Sequence, residues 1–157
     1  MTMTPATTPT AASATGPHAD ARALGLAHYA ARGVLERVLA GHGITFQEQI
    51  ALRAALTAGT PQTRDALVAQ VQGFLKADPA GIRTVLDALL AKRLLAEEGT
   101  YLRPTDAGRE LLAAVAAETA PVSARIWGGI PAEDLAAAGR VLTLVAERAN
   151  AELAARA

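Results

Sequence analysis

Between Asp78 and Leu95 the apolar positions keep a helical period. Ile82, Val85, Leu86, Leu89 and Leu90 fall at i, i+3, i+4, i+7 and i+8, which sets them on one face of a helix. Asp78 suits the N-cap and Pro79 the first helical position, where a missing N–H costs nothing. The opposite face carries Ala80, Gly81, Arg83, Thr84 and Asp87, small and polar with a single Arg.

Helical patterns flank this stretch on both sides. A first long helix is predicted from about Ala19 to Ala40, with Leu24, Ala27, Ala31, Val34, Leu35, Val38 and Leu39 as a broad stripe, and Gly41-His42-Gly43 ends it. Thr45-Phe46-Gln47-Glu48 is a capping box that opens a second helix, to about Ala58, with Phe46, Ile50, Leu52 or Ala54, and Leu56 as its apolar face. Thr63 caps a third, with Leu67, Val71, Phe74 and Leu75 inward. After the Asp78 helix, Ala96 to Arg103 reads as a small β-hairpin, with Glu98-Gly99 at the tip and Tyr101 and Leu102 on the return strand. Thr105 caps a fifth helix, which Pro121 kinks or interrupts before a turn or two reach Trp127. Gly128-Gly129 breaks the chain, and Pro131 opens a last helix striped by Leu135, Val141, Leu142, Val145 and Ala149.

The fold class is therefore mainly α, in the order α-α-α-α-β-β-α-α, as a single domain over residues 19–157. Residues 60–108 form a winged helix-turn-helix: a helix preceded by another and followed by a hairpin is how such a unit presents itself to a DNA major groove. The terminal segments, 19–58 and 121–157, are too long and too amphipathic for that unit to cover. An uncovered apolar stripe usually finds a second copy of itself, so these are dimerisation helices and the expected assembly is a homodimer. Residues 1–18 are Thr/Ala/Pro-rich without Arg or Lys, and are expected to be a disordered tail.

Composition narrows the chemistry. Hydrophobic residues are 51% of the 157, many of them Ala, so helices can pack closely without large side chains. A formal net charge of 0 argues against a strongly basic nucleic-acid binder while leaving room for a modest one. The absence of Cys removes disulfides, thiolate metal sites and thiol redox sensing. No apolar run reaches the ~18 residues that span a bilayer, and the N-terminus lacks the pattern of a signal peptide, so a soluble, cytoplasmic protein with no membrane partner is expected. There is no nucleophile motif, no His-x-x-x-His and no phosphate-binding Gly loop, so no catalytic residue or resident metal is assigned.

Four segments together resemble the MarR family of transcription regulators. Gly43-Ile44-Thr45-Phe46-Gln47-Glu48-Gln49 is similar to the family's opening of the second helix, and Leu89 to Leu95 to the end of its recognition helix. The run from Leu102 to Leu112 is similar to its Leu-Thr-x-x-Gly-x-x-Leu after the wing, and Trp127 to Leu135 to the turn before its last dimerisation helix. The resemblance implies a winged-helix homodimer on a palindromic operator, responsive to a small aromatic or phenolic ligand held between its two lobes. Three departures stand out: the hairpin is shortened and carries Glu97 and Glu98 in place of the usual Asp-x-Arg; Gln72 to Ala77 reads as a link about one turn too long; Arg93 stands where a Gly is expected.

From this follow the candidate residues. Arg83 and Thr84 are base-edge candidates, since Arg can bond guanine bidentately and Thr can bond either way, and Gly81 allows close approach. Arg64, Lys76 and Arg103 would contact phosphate, while Lys92 and Arg93 suit the C-terminal dipole of their helix. Across Thr60 to Thr105, six positive residues stand against five negative ones, a net +1. His28, Tyr29 and Arg32 on the first helix and Arg53 on the second are the ligand candidates, an Arg for a carboxylate and Tyr or His for a phenol. The alternative is a repurposed scaffold that binds a small molecule or haem in the dimer cleft, conceivably as an enzyme, with little DNA binding. His28 and then His42 would be the axial ligands, haem being the only cofactor entertained.

Overall fold

A computed structural model describes residues 18–156. The tail expected over 1–18 lies outside the described residues, His18 excepted. The elements are α1 (Ala21–Gly41), α2 (Phe46–Thr57), β1 (Gln62–Thr63), α3 (Arg64–Leu75), α4 (Pro79–Ala91), β2 (Leu95–Glu98), β3 (Tyr101–Pro104), α5 (Asp106–Trp127) and α6 (Ala132–Ala155). The expected order holds with one addition, the two-residue β1. It pairs antiparallel with β3, Gln62 opposite Leu102 and Thr63 opposite Tyr101, so β3 is central and the sheet order is β1-β3-β2. Two residues are too few to leave a period in the sequence.

Side-chain caps set the starts of the helices. Asp20, Thr45, Thr63, Asp78 and Thr105 each accept from a backbone N–H in the first turn that follows. At Thr45 the capping box is complete, with Glu48 accepting back from the Thr45 N–H at 2.7 Å. The stops are backbone motifs. Gly43 (φ +69°) closes α1, its N–H on the Ala40 carbonyl and that of Ile44 on Leu39. The same pair of bonds closes α4, Arg93 to Leu90 and Leu94 to Leu89, with Arg93 itself left-handed at φ +57°. Arg93 thus occupies the position glycine would take, and its role there is conformational.

The core lies where α2, α3, α4, the sheet and the start of α5 meet. Leu39, Leu52, Leu67, Val71, Ile82, Leu86, Leu89, Leu95 and Val115 are fully buried in it. Each such side chain is worth roughly 1.5–3 kcal/mol of burial. The inward face of α4 is as its period predicts, with Val85 and Leu90 at its margin. Phe74 departs from expectation and is 66% exposed. α3 buries Leu67, Val68 and Val71, with Leu75 part-buried, and Phe74, two turns beyond Leu67 at the edge of that arc, falls just outside it in the last turn of the helix. Leu56 is likewise turned outward, α2 burying Ala51, Leu52, Ala54 and Ala55 instead.

Two further expectations are corrected. α5 is not interrupted at Pro121 but runs on to Trp127, and the Ala117 carbonyl that the proline leaves without its usual donor belongs to a solvent-facing residue. The hairpin tip is Gly99-Thr100, since Glu98 still pairs with Tyr101. Gly99, at φ +63°, takes the positive-φ place that type II′ loops give to glycine. At the other end of the molecule, α6 buries none of its residues, and Val141, Leu142, Leu144 and Val145 lie open along it.

Candidate nucleic-acid interface

α3 and α4 form a tight helix-turn-helix. The segment that reads as an over-long link belongs to α3, which continues to Leu75; the turn is only Lys76-Ala77-Asp78. Lys76 makes it possible by adopting a left-handed conformation, φ +51° and ψ +31°, while its N–H bonds the Gln72 carbonyl at 2.9 Å. Asp78 then starts α4, accepting from the N–H groups of Ala80 (3.0 Å) and Gly81 (3.3 Å).

The outward face of α4 is open. Ala80, Gly81, Arg83, Thr84 and Asp87 are all exposed. The Thr84 hydroxyl donates to the Ala80 carbonyl at 3.2 Å, which leaves its lone pairs facing out. A Cβ at Gly81 would meet nothing within 4 Å, so nothing in the fold requires glycine here. An internal helical glycine costs about 1 kcal/mol against Ala.

Three of the candidate cations are already paired. Arg64, at the start of α3, bonds Asp87 on α4 and, at 3.3 Å, Glu97 on β2. Accepting that hydrogen bond, Asp87 raises Arg64 above the usual guanidinium range, with Glu97 adding to it. Arg83 on α4 bonds back to Asp65 on α3 at 3.1 Å, and Arg103 on β3 bonds Glu98 on β2 at 3.2 Å. Lys76 is exposed in the turn and makes no ion pair among the described residues.

Lys92 does not serve its own helix end. Its ammonium donates to both carboxylate oxygens of the buried Glu48, at 2.7 and 2.8 Å, and to the Gly43 carbonyl at 2.9 Å. It thereby pins the end of α4 to the start of α2. The wing is joined to α5 in a comparable way. The Thr105 hydroxyl donates to the Arg93 carbonyl at 2.7 Å and accepts from the Gly108 N–H at 3.0 Å. Gly108 rests on the Leu94 carbonyl so closely that a Cβ would lie 2.3 Å from its oxygen.

The proposed ligand residues are not gathered into one cleft of the single chain. His28 and Tyr29 stack edge to face, centroids 5.4 Å apart, on a shallow groove lined only by α1. Arg32 is held elsewhere, bonded to Glu36 at 2.8 Å and lying 4.6 Å over the Phe46 ring of α2. Arg53 is exposed on α2. His42 is part-buried rather than open, its Nε2 2.9 Å from the Glu118 carboxylate of α5. An apolar cleft of about 150 Å³ between α1 and α5, lined by Ala31, Val34, Leu35, Val122, Ile126 and Trp127 among others, went unrecognised in the sequence. The repeat of Thr119, Ser123 and Trp127 on one side of α5 was its available signal. Among the described residues no helix is long and apolar enough to cross a membrane, and no cluster of three metal-ligating side chains occurs.

No protein-family model and no curated protein matches the chain. Solved structures do. The reduced form of MarR from E. coli superposes with a TM-score of 0.66 at 16% identity, over 83% of this chain and 95% of that one. CouR from Rhodococcus jostii, solved bound to p-coumaroyl-CoA, gives 0.66 at 19%, over 79% and 88%. A MarR-family transcriptional regulator from a Rhodococcus species gives 0.65 at 19%, over 79% and 89%. Superposing to this extent, with a three-stranded sheet beside a helix-turn-helix whose turn is three residues, the chain has the MarR-like winged-helix fold.

Proposed function

We propose that the protein is a ligand-responsive transcriptional regulator that binds a palindromic operator as a homodimer. The observation that carries this reading is α4, a helix buried on one side by Ile82, Leu86 and Leu89 whose other side is exposed, small and polar. On this reading residues 60–108 are the reader: Arg83 and Thr84 meet base edges, Gly81 lets the backbone approach, and Arg64, Lys76 and Arg103 meet phosphates. Residues 19–58 and 121–157 are the dimerisation lobe. The open apolar positions Leu24, Leu26 and Val34 on α1, Ile126 and Trp127 on α5, and Val141, Leu142 and Val145 on α6 support it.

A small aromatic or phenolic ligand would sit between the lobes, where His28, Tyr29, Arg32 and Arg53 supply phenol and carboxylate partners. That CouR was solved with p-coumaroyl-CoA agrees with this class. Ligand acts by favouring a dimer in which the two α4 helices no longer meet major grooves about one helical turn (~34 Å) apart. The test is a gel shift on the gene's own upstream DNA with wild type and Arg83→Ala. Sequence-specific binding by wild type is expected, with loss of specificity in the variant at unchanged dimer mass. Unaltered binding by the variant removes α4 from the groove.

The pairing of Arg64, Arg83 and Arg103 with carboxylates favours a second reading, a ligand-binding scaffold that has given up DNA. It predicts no specific binding to any upstream fragment, with aromatic carboxylates still shifting the melting temperature.

A further inference from the structure

The cation–carboxylate pairs on the reader are not scattered. Arg64 and Asp65 are adjacent at the start of α3, and Arg83 and Asp87 lie one turn apart on α4. They pair reciprocally, Arg64 with Asp87 and Asp65 with Arg83, so one basic and one acidic group cross the gap in each direction. Glu97 closes on Arg64 from the wing, and Glu98 holds Arg103 there. Each arginine assigned to DNA contact, Arg64, Arg83 and Arg103, is thus presented with a carboxylate in the place of a phosphate. All of these acidic side chains are 61–85% exposed, so burial does not lock them in.

Resting on the regulator reading, we propose that Asp65, Asp87, Glu97 and Glu98 are an internal phosphate mimic that sets the affinity of the reader for DNA. An arginine that binds DNA here must first leave its carboxylate. Exposed pairs of this kind are worth up to about fivefold each in an equilibrium. The exchange also changes the ion balance. A free arginine that reaches a phosphate releases a condensed cation, contributing about 0.9 to the slope of log K against log salt. An arginine that deserts a carboxylate leaves an uncompensated negative charge beside the DNA, which lowers the net positive charge facing the phosphates and so offsets part of that release. The reader therefore binds weakly and with a shallow salt dependence, which keeps a protein of zero net charge off non-specific DNA and leaves base contacts to decide where it rests.

The test uses the full-length dimer with Asp65→Asn, Asp87→Asn, Glu97→Gln and Glu98→Gln combined, near-isosteric changes that keep hydrogen-bond acceptors. A charge-matched control carries Glu133→Gln, Asp134→Asn, Glu147→Gln and Glu152→Gln on α6. Binding to random-sequence duplex is followed by fluorescence anisotropy across a salt series. The reader variant is expected to bind about 10- to 100-fold more tightly than wild type at 0.1 M salt, with a steeper slope by up to about 2.7, three arginines at about 0.9 each. The α6 control is expected to change affinity by less than about threefold, since it sits away from the contacts. If wild type binds and the reader variant matches it in affinity and slope, the mimic is wrong and the regulator reading stands. Equal gains in both variants reduce the effect to net charge and also overturn it. Binding by neither wild type nor the reader variant overturns the mimic, and the regulator reading falls with it only if the upstream fragment is left unbound as well.

Discussion

Gly108→Ala separates local propensity from packing. Gly108 lies in the first turns of α5, where Ala is the better helix former by about 1 kcal/mol. On propensity alone the variant gains stability. The geometry says the reverse. The new Cβ would stand 2.3 Å from the Leu94 carbonyl oxygen and 3.2 Å from Leu52 Cδ1. The leucine methyl can yield, but the carbonyl cannot, because it accepts from the Thr105 N–H at 3.0 Å and its residue is fixed by the bond from Leu94 N–H to Leu89. Overpacking against such a site costs typically 1–3 kcal/mol, and losing a backbone hydrogen bond about another 1. After the propensity gain, a net loss of about 1–3 kcal/mol is expected. For a chain of this size that lowers the melting temperature by roughly 2–12 °C. Urea unfolding and thermal melts at fixed protein concentration read this directly, fixed because the proposed dimer would make the midpoint concentration-dependent. Gly73→Ala in α3 is the control, since a Cβ there meets nothing within 4 Å; it should gain up to about 1 kcal/mol. A Gly108→Ala protein as stable as wild type would refute the close seating of α5 on the strand edge.

Other substitutions probe the remaining joints. Arg93→Gly relieves a left-handed residue and should stabilise the fold by about 0.5–1 kcal/mol in urea, since the glycine's extra freedom when unfolded takes back part of the gain. Lys76→Gly should gain similarly yet weaken DNA binding, a split that a purely structural residue does not show. Lys92→Met leaves the Glu48 carboxylate, only 5% exposed, with the Thr45 N–H as its remaining donor, and should cost about 1–3 kcal/mol; a cost below about 0.5 would mean solvent replaces the ammonium. If α6 is part of the proposed dimer interface, Leu142→Glu with Val145→Glu should give a monomer by light scattering, and a dimer mass equal to that of wild type would place the interface elsewhere.

How much of this was legible in the sequence depended on the range of the interaction. Period and caps are local, so the helices, their N-caps at Thr45, Thr63, Asp78 and Thr105, and the inward face of α4 could be read directly. The helix-turn-helix was misjudged because Lys76 takes a conformation usually given to Gly or Asn. With no glycine to mark the stop, α3 had no legible end and its last turn looked like linker. β1 escaped for a related reason: its partner, β3, is nearly forty residues on, and two residues carry no pattern of their own.

The site shows the same division more sharply. Counting charges over Thr60 to Thr105 finds a net +1, and a sum cannot say whether its members meet. In the folded chain they do, across 18 residues for Asp65 and Arg83 and 23 for Arg64 and Asp87. Those separations match no helical or strand spacing, because they follow from how α3 packs on α4. A weakly basic reader with free arginines and one with carboxylate-held arginines have the same composition and different physics. The first is limited by how many cations it has, the second by what it costs to release them. Exposed pairs such as these are cheap to open, so on the proposed reading α4 would keep its capacity to read DNA while losing much of its non-specific hold on it. That is why the acidic residues beside Arg64, Arg83 and Arg103, which in a charge count speak only against DNA binding, are in the structure the groups that would tune it.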